Sequence, residues 1–204
     1  ETPIDGLTFM NIPHRNKEVE KKAGCNLNHG GLWYGVNLTA VPNAYISDKF
    51  VYGDINGNLT AEVTIDSKND IDNALITVNV YESDAISALV ATNTQTYSVI
   101  KGEQTFALNL NVANVKLWSL EVPYLYRVEI KVDTIYGSHT QILKFGFREF
   151  KVKNGYFYLN GKKIFLKSAH TGNAYPVGQM IPVQKEQLRQ DFIYAKASGF
   201  NCLR

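Results

Sequence analysis

The sequence has little of what marks several large protein classes. Its only two cysteines, Cys25 and Cys202, lie 177 positions apart and match no metal-ligand spacing. No run of 18 apolar residues occurs, so no membrane-spanning helix is predicted. With 6 prolines and 15 glycines in 204 residues, the chain is not collagen-like or of low complexity. These absences leave an ordinary globular composition, of one domain or two.

The net charge is also small, but the charged side chains are unevenly placed. Twenty-one basic and 19 acidic side chains give a net charge of +2, too little to steer the chain toward nucleic acid. Residues 46–149 carry 8 basic and 13 acidic side chains, whereas residues 150–204 carry 9 and 2. The net charge therefore changes sign where the middle of the chain meets its C-terminal quarter.

Lysines alternate with aromatic residues in the basic segment. The residues concerned are Lys151, Lys153, Lys162, Lys163 and Lys167, with Tyr156, Tyr158 and Phe165. Such a pattern is typical of a solvated hairpin face or of a strip that binds a nucleic-acid backbone and stacks bases. Because no recognised nucleic-acid motif accompanies it, the sequence favours the solvated face and predicts no nucleic-acid partner.

Apolar and polar residues alternate through the middle of the sequence. The clearest run is Tyr126–Val132, in which every second residue is apolar. Since neighbouring side chains of a strand point to opposite faces, each such run predicts a strand with one buried face. The predicted strands cover 32–40, 45–52, 59–65, 74–82, 94–100, 105–112, 126–132 and 140–147. Their number and short turns predict a mainly β fold, an antiparallel β-sandwich of immunoglobulin type.

The pattern changes after Phe147. Asn160-Gly161 separates two apolar runs, 150–159 and 162–167, and is a strong signal for a two-residue hairpin. Leu188, Phe192 and Ala195 are spaced i, i+4 and i+7, which predicts a helix, and Gly199 stands where a left-handed cap is needed. With a further strand at 200–204, this segment predicts one βαβ unit with a parallel strand pair.

Five segments, taken in order, resemble one enzyme family. They are Gly30-Gly-Leu-Trp-Tyr-Gly-Val36, Trp118-Ser-Leu-Glu-Val-Pro-Tyr-Leu-Tyr126, Phe145-Gly-Phe-Arg-Glu149, Phe157-Tyr-Leu-Asn-Gly-Lys-Lys-Ile-Phe-Leu-Lys167 and Lys196-Ala-Ser-Gly-Phe-Asn-Cys-Leu-Arg204. The set resembles glycoside hydrolase family 2, which includes β-galactosidases, β-glucuronidases and β-mannosidases. The resemblance implies that residues 1–43 end a sugar-binding domain, that 44–149 form an immunoglobulin-like domain, and that 150–204 begin a truncated (β/α)₈ barrel.

Several residues are expected to act structurally. The motif residues Trp118, Pro123 and Tyr126 are expected to pack the edge of the sandwich, and Phe145 and Phe147, on either side of Gly146, to enter its core. Asn160 and Gly161 are expected to form the hairpin turn.

Other residues are implied to border a substrate pocket. The family has Gly-x-Asn-Arg-His-Glu after its first barrel strand, and this chain has Lys167-Ser-Ala-His-Thr-Gly-Asn-Ala-Tyr-Pro176 there, without the Arg and Glu. By resemblance, His170 and Asn173 are pocket candidates, and Arg204 matches the arginine that supports the nucleophile. The family's catalytic glutamates lie on the fourth and seventh barrel strands, so the resemblance implies no catalytic residue in this chain, and no cofactor is expected. The four histidines are scattered along the sequence and predict no metal site.

Two functions are compatible with these observations. The first is a scaffold fragment, inactive alone, of a retaining β-glycosidase whose partner is a carbohydrate substrate. The second is a free-standing β-sandwich that binds carbohydrate or protein. Isolated barrel strands at 150–204 would expose apolar surface. We therefore expect this segment to dock loosely on the sandwich or to lie against a symmetry partner in a homo-oligomer. The Asn-, Lys- and Tyr-rich composition fits a secreted or periplasmic bacterial protein.

Overall fold

A computed structural model describes residues 36–82, 88–170 and 185–204. The elements discussed below belong to one compact unit, Ala40–Arg204. Its first seven strands are β1 (Ala44–Gly53), β2 (Asn58–Ser67), β3 (Ile71–Glu82), β4 (Leu89–Val99), β5 (Gly102–Asn111), β6 (Tyr126–Thr134) and β7 (Gly137–Phe145). The later elements are β8 (Phe150–Lys153), β9 (Tyr156–Leu159), β10 (Lys162–Ile164), β11 (Ser168–Ala169), α1 (Lys185–Ala197) and β12 (Cys202–Leu203).

The first seven strands form two antiparallel sheets that enclose one core. One sheet has the order β1-β2-β5 and the other the order β4-β3-β6-β7. Alternate residues of the central strands β2, β3 and β6 are fully buried, including Val63, Ile76 and Ile130. Because a strand turns every second side chain inward, the alternation seen in the sequence becomes the two inner faces of this core. The prediction of a mainly β, antiparallel sandwich is confirmed.

Side chains of one sheet bond to the backbone of the other at both edges of the sandwich. At one edge, Asn93 Nδ2 of β4 donates to the Asn109 carbonyl of β5 at 2.7 Å. At the other edge, a β-bulge between Ile46 and Asp48 interrupts the pairing of β1 with β2. The Ile46 N–H there donates to His139 Nδ1 of β7 at 3.0 Å. Backbone groups on edge strands otherwise invite pairing with other chains, so these bonds help to close the sandwich.

The bond from Ile46 to His139 predicts a pH-dependent stability. Burial, and then the charge of Lys49, lower the pKa of His139, so the native state holds the neutral ring that can accept this bond. The contribution is therefore complete above the unfolded pKa of 6.5 and is lost as the pH falls through that value toward the folded pKa. We expect His139→Ala to cost about 1 kcal/mol at pH 7.5 and much less at pH 5.

Urea unfolding of the wild type, His139→Ala and His170→Ala at pH 7.5 and pH 5 measures this difference. His170 is exposed and serves as the matched control, and its replacement should cost less than about 0.5 kcal/mol at pH 7.5. An unchanged pH dependence in His139→Ala would contradict the assignment.

The predicted strands at 32–40 and 140–147 include residues that form no strand in the structure. The predicted strand at 32–40 falls partly outside the described residues, and residues 36–43 form no strand. Val36 and Leu38 are exposed there. An alternation of apolar and polar residues produces a strand only where a neighbouring strand pairs with that segment. The strand predicted at 140–147 ends at Phe145, and Phe147 follows it as a buried residue outside the ladder.

The segment after the sandwich forms a three-stranded antiparallel sheet, β8-β9-β10, where a single hairpin was predicted. Its second turn contains Asn160 and Gly161, with φ angles of 50° and 76°. The first turn contains Asn154 and Gly155, with φ angles of 51° and 77°. Both central residues of a type I′ turn need positive φ, which Asn and Gly tolerate best. The same Asn-Gly dipeptide therefore marks both turns. The prediction of one uninterrupted run at 150–159 misses the turn at 154–155.

The chain then forms a parallel strand pair with a helix between its members in sequence. β11 pairs with β12 in parallel, with Ser168 opposite Cys202 and Ala169 opposite Leu203. The strand predicted at 162–167 ends at Ile164, and the strand that pairs with β12 is β11, at the start of the segment that was predicted to be a loop. α1 ends at Ala197, Gly199 follows it with a φ of 84°, and the Phe200 N–H donates to the Ala195 carbonyl at 3.0 Å. These are features of a Schellman cap. Within the described ranges, no helix is long and apolar enough to cross a membrane.

Candidate pocket edge at the parallel strand pair

A loop of the sandwich connects the C-terminal segment to the core. The backbone of Trp118, in the loop between β5 and β6, donates to the Phe147 carbonyl at 2.9 Å. The guanidinium carbon of Arg148 lies 5.3 Å from the centroid of the Trp118 ring. Gly146 is needed here, because a Cβ at this position would lie 3.0 Å from the Cβ of Trp118. We call residues 146–149, which follow β7, the strand exit, and its residues 146–148 are therefore packed closely against the loop.

Asn160 holds the same loop from the other side. Its Nδ2 donates to the Trp118 carbonyl at 2.9 Å, and its Oδ1 accepts from the Glu149 N–H at 2.9 Å. Its backbone N–H also donates to the Glu149 carbonyl at 2.8 Å. One turn residue thus bonds the β8-β10 sheet to both the sandwich loop and the strand exit. We call these groups of Trp118, Glu149 and Asn160 the asparagine clamp.

A second connection runs from α1 to this loop. Lys196 Nζ donates to the Leu120 carbonyl at 3.4 Å. The neighbouring Glu121 accepts bonds from its own N–H and from Ser119, and the charges of Lys162 and Lys196 add to these. Together they hold the pKa of Glu121 below its ordinary value. The loop is therefore the shared support of the β8-β10 sheet and of the helix.

Asn201 aligns the two parallel strands. Its Oδ1 accepts from the Lys167 N–H at 2.8 Å, and its Nδ2 donates to the Phe165 carbonyl at 2.9 Å. At the far end of the pair, the Arg204 N–H donates to the Ala169 carbonyl at 3.0 Å. The register of β11 and β12 is thus fixed by a polar side chain at one end and by backbone bonds at the other.

This register brings two of the three predicted pocket residues to the same edge. His170 directly follows β11 and Arg204 directly follows β12, and both are exposed. Because the strands run parallel, the two residues lie at their carboxyl ends. Asn173, the third candidate, lies outside the described residues.

An apolar cavity of about 300 Å³ lies beside the contact between Lys196 of α1 and Leu120 of the sandwich loop. Leu120, Phe192, Phe200 and Leu203 are among its lining residues, whereas His170 and Arg204 are not. No residue of α1 is buried, and Phe192 and Ile193 are exposed. The carboxyl-end edge and this apolar surface are therefore distinct features of the segment.

The predicted structural residues occupy different environments. Tyr126 and Phe147 are fully buried, and their rings meet edge to face with centroids 5.2 Å apart. The Tyr126 hydroxyl accepts from the Lys116 N–H at 2.8 Å, and burial raises the pKa of this tyrosine. This geometry resembles a tyrosine corner. Trp118 and Phe145 are half-buried, but Pro123 is exposed in its loop, contrary to the expected packing role.

Sequence reasoning missed the side-chain roles of Asn160 and Asn201. Asn160 is predicted only as a turn residue, and it begins the same Asn-Gly dipeptide as Asn154. Asn201 stands between apolar residues at the predicted strand start, and this polar interruption was the available signal. Neither partner set could be read from sequence, because the bonded groups lie 11 to 42 positions away.

Comparison with known families gives a match over the sandwich. The model of the family described as "Glycosyl hydrolases family 2" matches residues 44–148, just over half of the chain.

Several solved structures resemble the chain in fold. A glycosyl hydrolase family 2 member from Bacteroides cellulosilyticus DSM 14838 has a TM-score of 0.70 at 20% identity, covering 79% of this chain and 23% of that one. A Parabacteroides merdae β-glucuronidase has a TM-score of 0.64 at 23% identity, covering 79% and 20%. A Ruminococcus gnavus β-glucuronidase, in complex with a C6-substituted uronic isofagomine, has a TM-score of 0.61 at 22% identity, covering 81% and 26%. The chain thus spans a fifth to about a quarter of the length of these structures.

Proposed function

Because this chain belongs to glycosyl hydrolases family 2, we propose that it is part of a retaining β-glycosidase. In this proposal residues 44–149 are an immunoglobulin-like scaffold domain, residues 150–204 begin a (β/α)₈ catalytic barrel, and residues 1–43 end a sugar-binding domain. The chain then supplies the support of the catalytic barrel and one wall of its pocket.

The observation that carries the proposal is the parallel pair that follows the family match. A (β/α)₈ barrel consists of eight repeated strand–helix units, and β11, α1 and β12 have the order of one such unit followed by the next strand. Such barrels bind substrate at the carboxyl ends of their strands. His170 and Arg204 follow those ends, and Asn173 is three positions after His170. The three residues are proposed to border the sugar-binding pocket.

The proposed chemistry divides roles between this chain and the rest of the enzyme. A retaining glycosidase uses two carboxyl groups about 5–5.5 Å apart, one as acid and base and the other as nucleophile. Both are proposed to lie outside these 204 residues. Arg204 would lie beside the nucleophile, where a guanidinium favours the ionised carboxylate by lowering its pKa. His170 and Asn173 would hydrogen-bond to sugar hydroxyls, so this chain alone should not hydrolyse substrate.

The test is hydrolysis of aryl β-glycosides by the longer parent protein. The panel includes a β-glucuronide, because two of the similar structures above are named β-glucuronidases, together with a β-galactoside and a β-mannoside. We expect turnover of at least one glycoside with the β configuration retained in the first-formed product, as seen by proton NMR. The 204-residue chain at the same concentration should give none. A parent protein inert on the whole panel, or one that inverts the anomeric centre, would contradict the proposal.

A further inference from the structure

The β8-β9-β10 sheet has two chemically different faces. Its register pairs Lys151 with Tyr158 and Lys163 with Tyr158, so these three side chains lie on the same face. The full set on this face is Lys151, Lys153, Tyr156, Tyr158 and Lys163, which we call the lysine–tyrosine face. The opposite face carries Phe150, Val152, Phe157, Leu159 and Ile164, with Lys162 at its margin. The sheet is therefore amphipathic, and its basic side chains are concentrated on one surface.

The lysine–tyrosine face is accessible and partly organised. Its three lysines and Tyr156 are exposed, and Tyr158 is half-buried. The ammonium of Lys163 lies 3.1 Å above the centroid of the Tyr156 ring, which holds this cation in place by a cation–π contact. Lys151 pairs with Glu149, the acidic residue adjoining β8. Three cations thus face one carboxylate, and the surface keeps a net positive charge.

We propose that the lysine–tyrosine face binds an acidic polysaccharide, a chain of uronic acid units. Lys151 and Lys153 are two positions apart on one strand, a separation of about 6.7 Å, and Lys163 lies two strands away. An extended polymer with repeated carboxylates can pair with several of these ammonium groups at once. Tyr156 remains 52% exposed beside the Lys163 ammonium, so part of its ring surface is available to a sugar ring.

One feature favours a uronic acid polymer over nucleic acid: the chain belongs to a family of carbohydrate-active enzymes. The site is separate from the edge that carries His170 and Arg204. Its failure would therefore leave the proposed hydrolase function standing, since that function is tested by turnover of small glycosides.

The experiment measures binding of the 204-residue chain to three probes by affinity electrophoresis at pH 7 in 50 mM NaCl. The probes are alginate as the acidic polysaccharide, pullulan as a neutral one, and a single-stranded oligodeoxynucleotide. We expect retardation by alginate that weakens about 20-fold in 200 mM NaCl, because the advantage of about three ion contacts falls with salt concentration. Pullulan should not retard the chain, and the oligonucleotide should bind at least tenfold more weakly than alginate.

Two matched pairs of variants locate the site. Lys153→Glu with Lys163→Glu should weaken alginate binding more than tenfold. The control, Lys68→Glu with Lys101→Glu, makes the same change in net charge at exposed sandwich positions and should weaken it less than twofold. Tyr156→Ala should weaken binding about fivefold, as expected for one contacting aromatic residue, and Tyr136→Ala should not.

Several results would overturn the proposal. They are no retardation by alginate, equal or tighter binding of the oligonucleotide, or equal losses in the two charge-reversed double variants. Lys153→Gln with Lys163→Gln repeats the test without introducing repulsion. If both double variants keep native circular dichroism and wild-type affinity, the face does not bind the polymer.

Discussion

Replacing Phe147 with alanine is expected to destabilise the sandwich by about 3–5 kcal/mol, the usual cost of truncating a buried phenylalanine. Its side chain is 0% exposed and lies against Tyr126 and Phe145, with ring centroids 5.2 and 4.9 Å away. Gly53 also approaches this ring closely. Since Phe147 follows β7 and is outside the ladder, its loss removes packing while leaving every strand hydrogen bond available.

Urea unfolding followed by tryptophan fluorescence measures this change through the transition midpoint at constant slope. Phe165→Ala is the control, because Phe165 is 79% exposed and its truncation should change the stability by less than about 0.5 kcal/mol. A loss below about 1 kcal/mol in Phe147→Ala would show that this ring does not anchor the core.

Replacing Asn160 with glycine is expected to release the C-terminal segment while leaving the sandwich intact. Glycine accepts the φ of 50° at this position without strain, so the change removes only the carboxamide of the asparagine clamp. The Glu149 N–H and the Trp118 carbonyl each lose a partner, which should cost about 2 kcal/mol locally. Amides of β8 and β9 should then exchange about 30-fold faster, whereas those of β2 should keep their wild-type rates.

Hydrogen exchange followed by mass spectrometry distinguishes these regions. Asn154→Gly is a close control, because it makes the same substitution at the equivalent positive-φ position of the neighbouring turn. It should change exchange in β8 and β9 by less than threefold. The clamp would be refuted if both glycine variants behaved alike, or if β2 and β9 lost protection together in Asn160→Gly.

The clamp also bears on how the proposed pocket edge is supported. Trp118 is bonded to Phe147 on one side and to Asn160 on the other, and Leu120 of the same loop accepts from Lys196 of α1. The loop therefore stands between the buried core and the segment that carries His170 and Arg204. A displacement of this loop would therefore strain its hydrogen bonds to both the β8-β10 sheet and the helix.

The features recovered from the sequence are those that depend on near neighbours in the chain. The alternation at 126–132 predicts β6 because side-chain direction has a period of two, whatever the strand packs against. Asn160-Gly161 predicts a turn because only a few residues tolerate positive φ. Gly199 predicts the end of α1 for the same reason. The same reasoning failed at 32–40, where the alternation is present but residues 36–40 form no strand.

The sequence by itself therefore determined that this protein is a β-sandwich followed by a hairpin turn at Asn160-Gly161 and one helix, since period-two burial and turn conformation are local properties. The tertiary structure alone decided that Asn160 bonds two distant segments while Asn154 lies in an ordinary turn, and that the bulged Ile46 N–H reaches His139. It also decided that the parallel register of β11 and β12 brings His170 and Arg204 to one edge. These contacts join residues that are 11 to 93 positions apart, and only the packing of complete elements determines which distant groups meet.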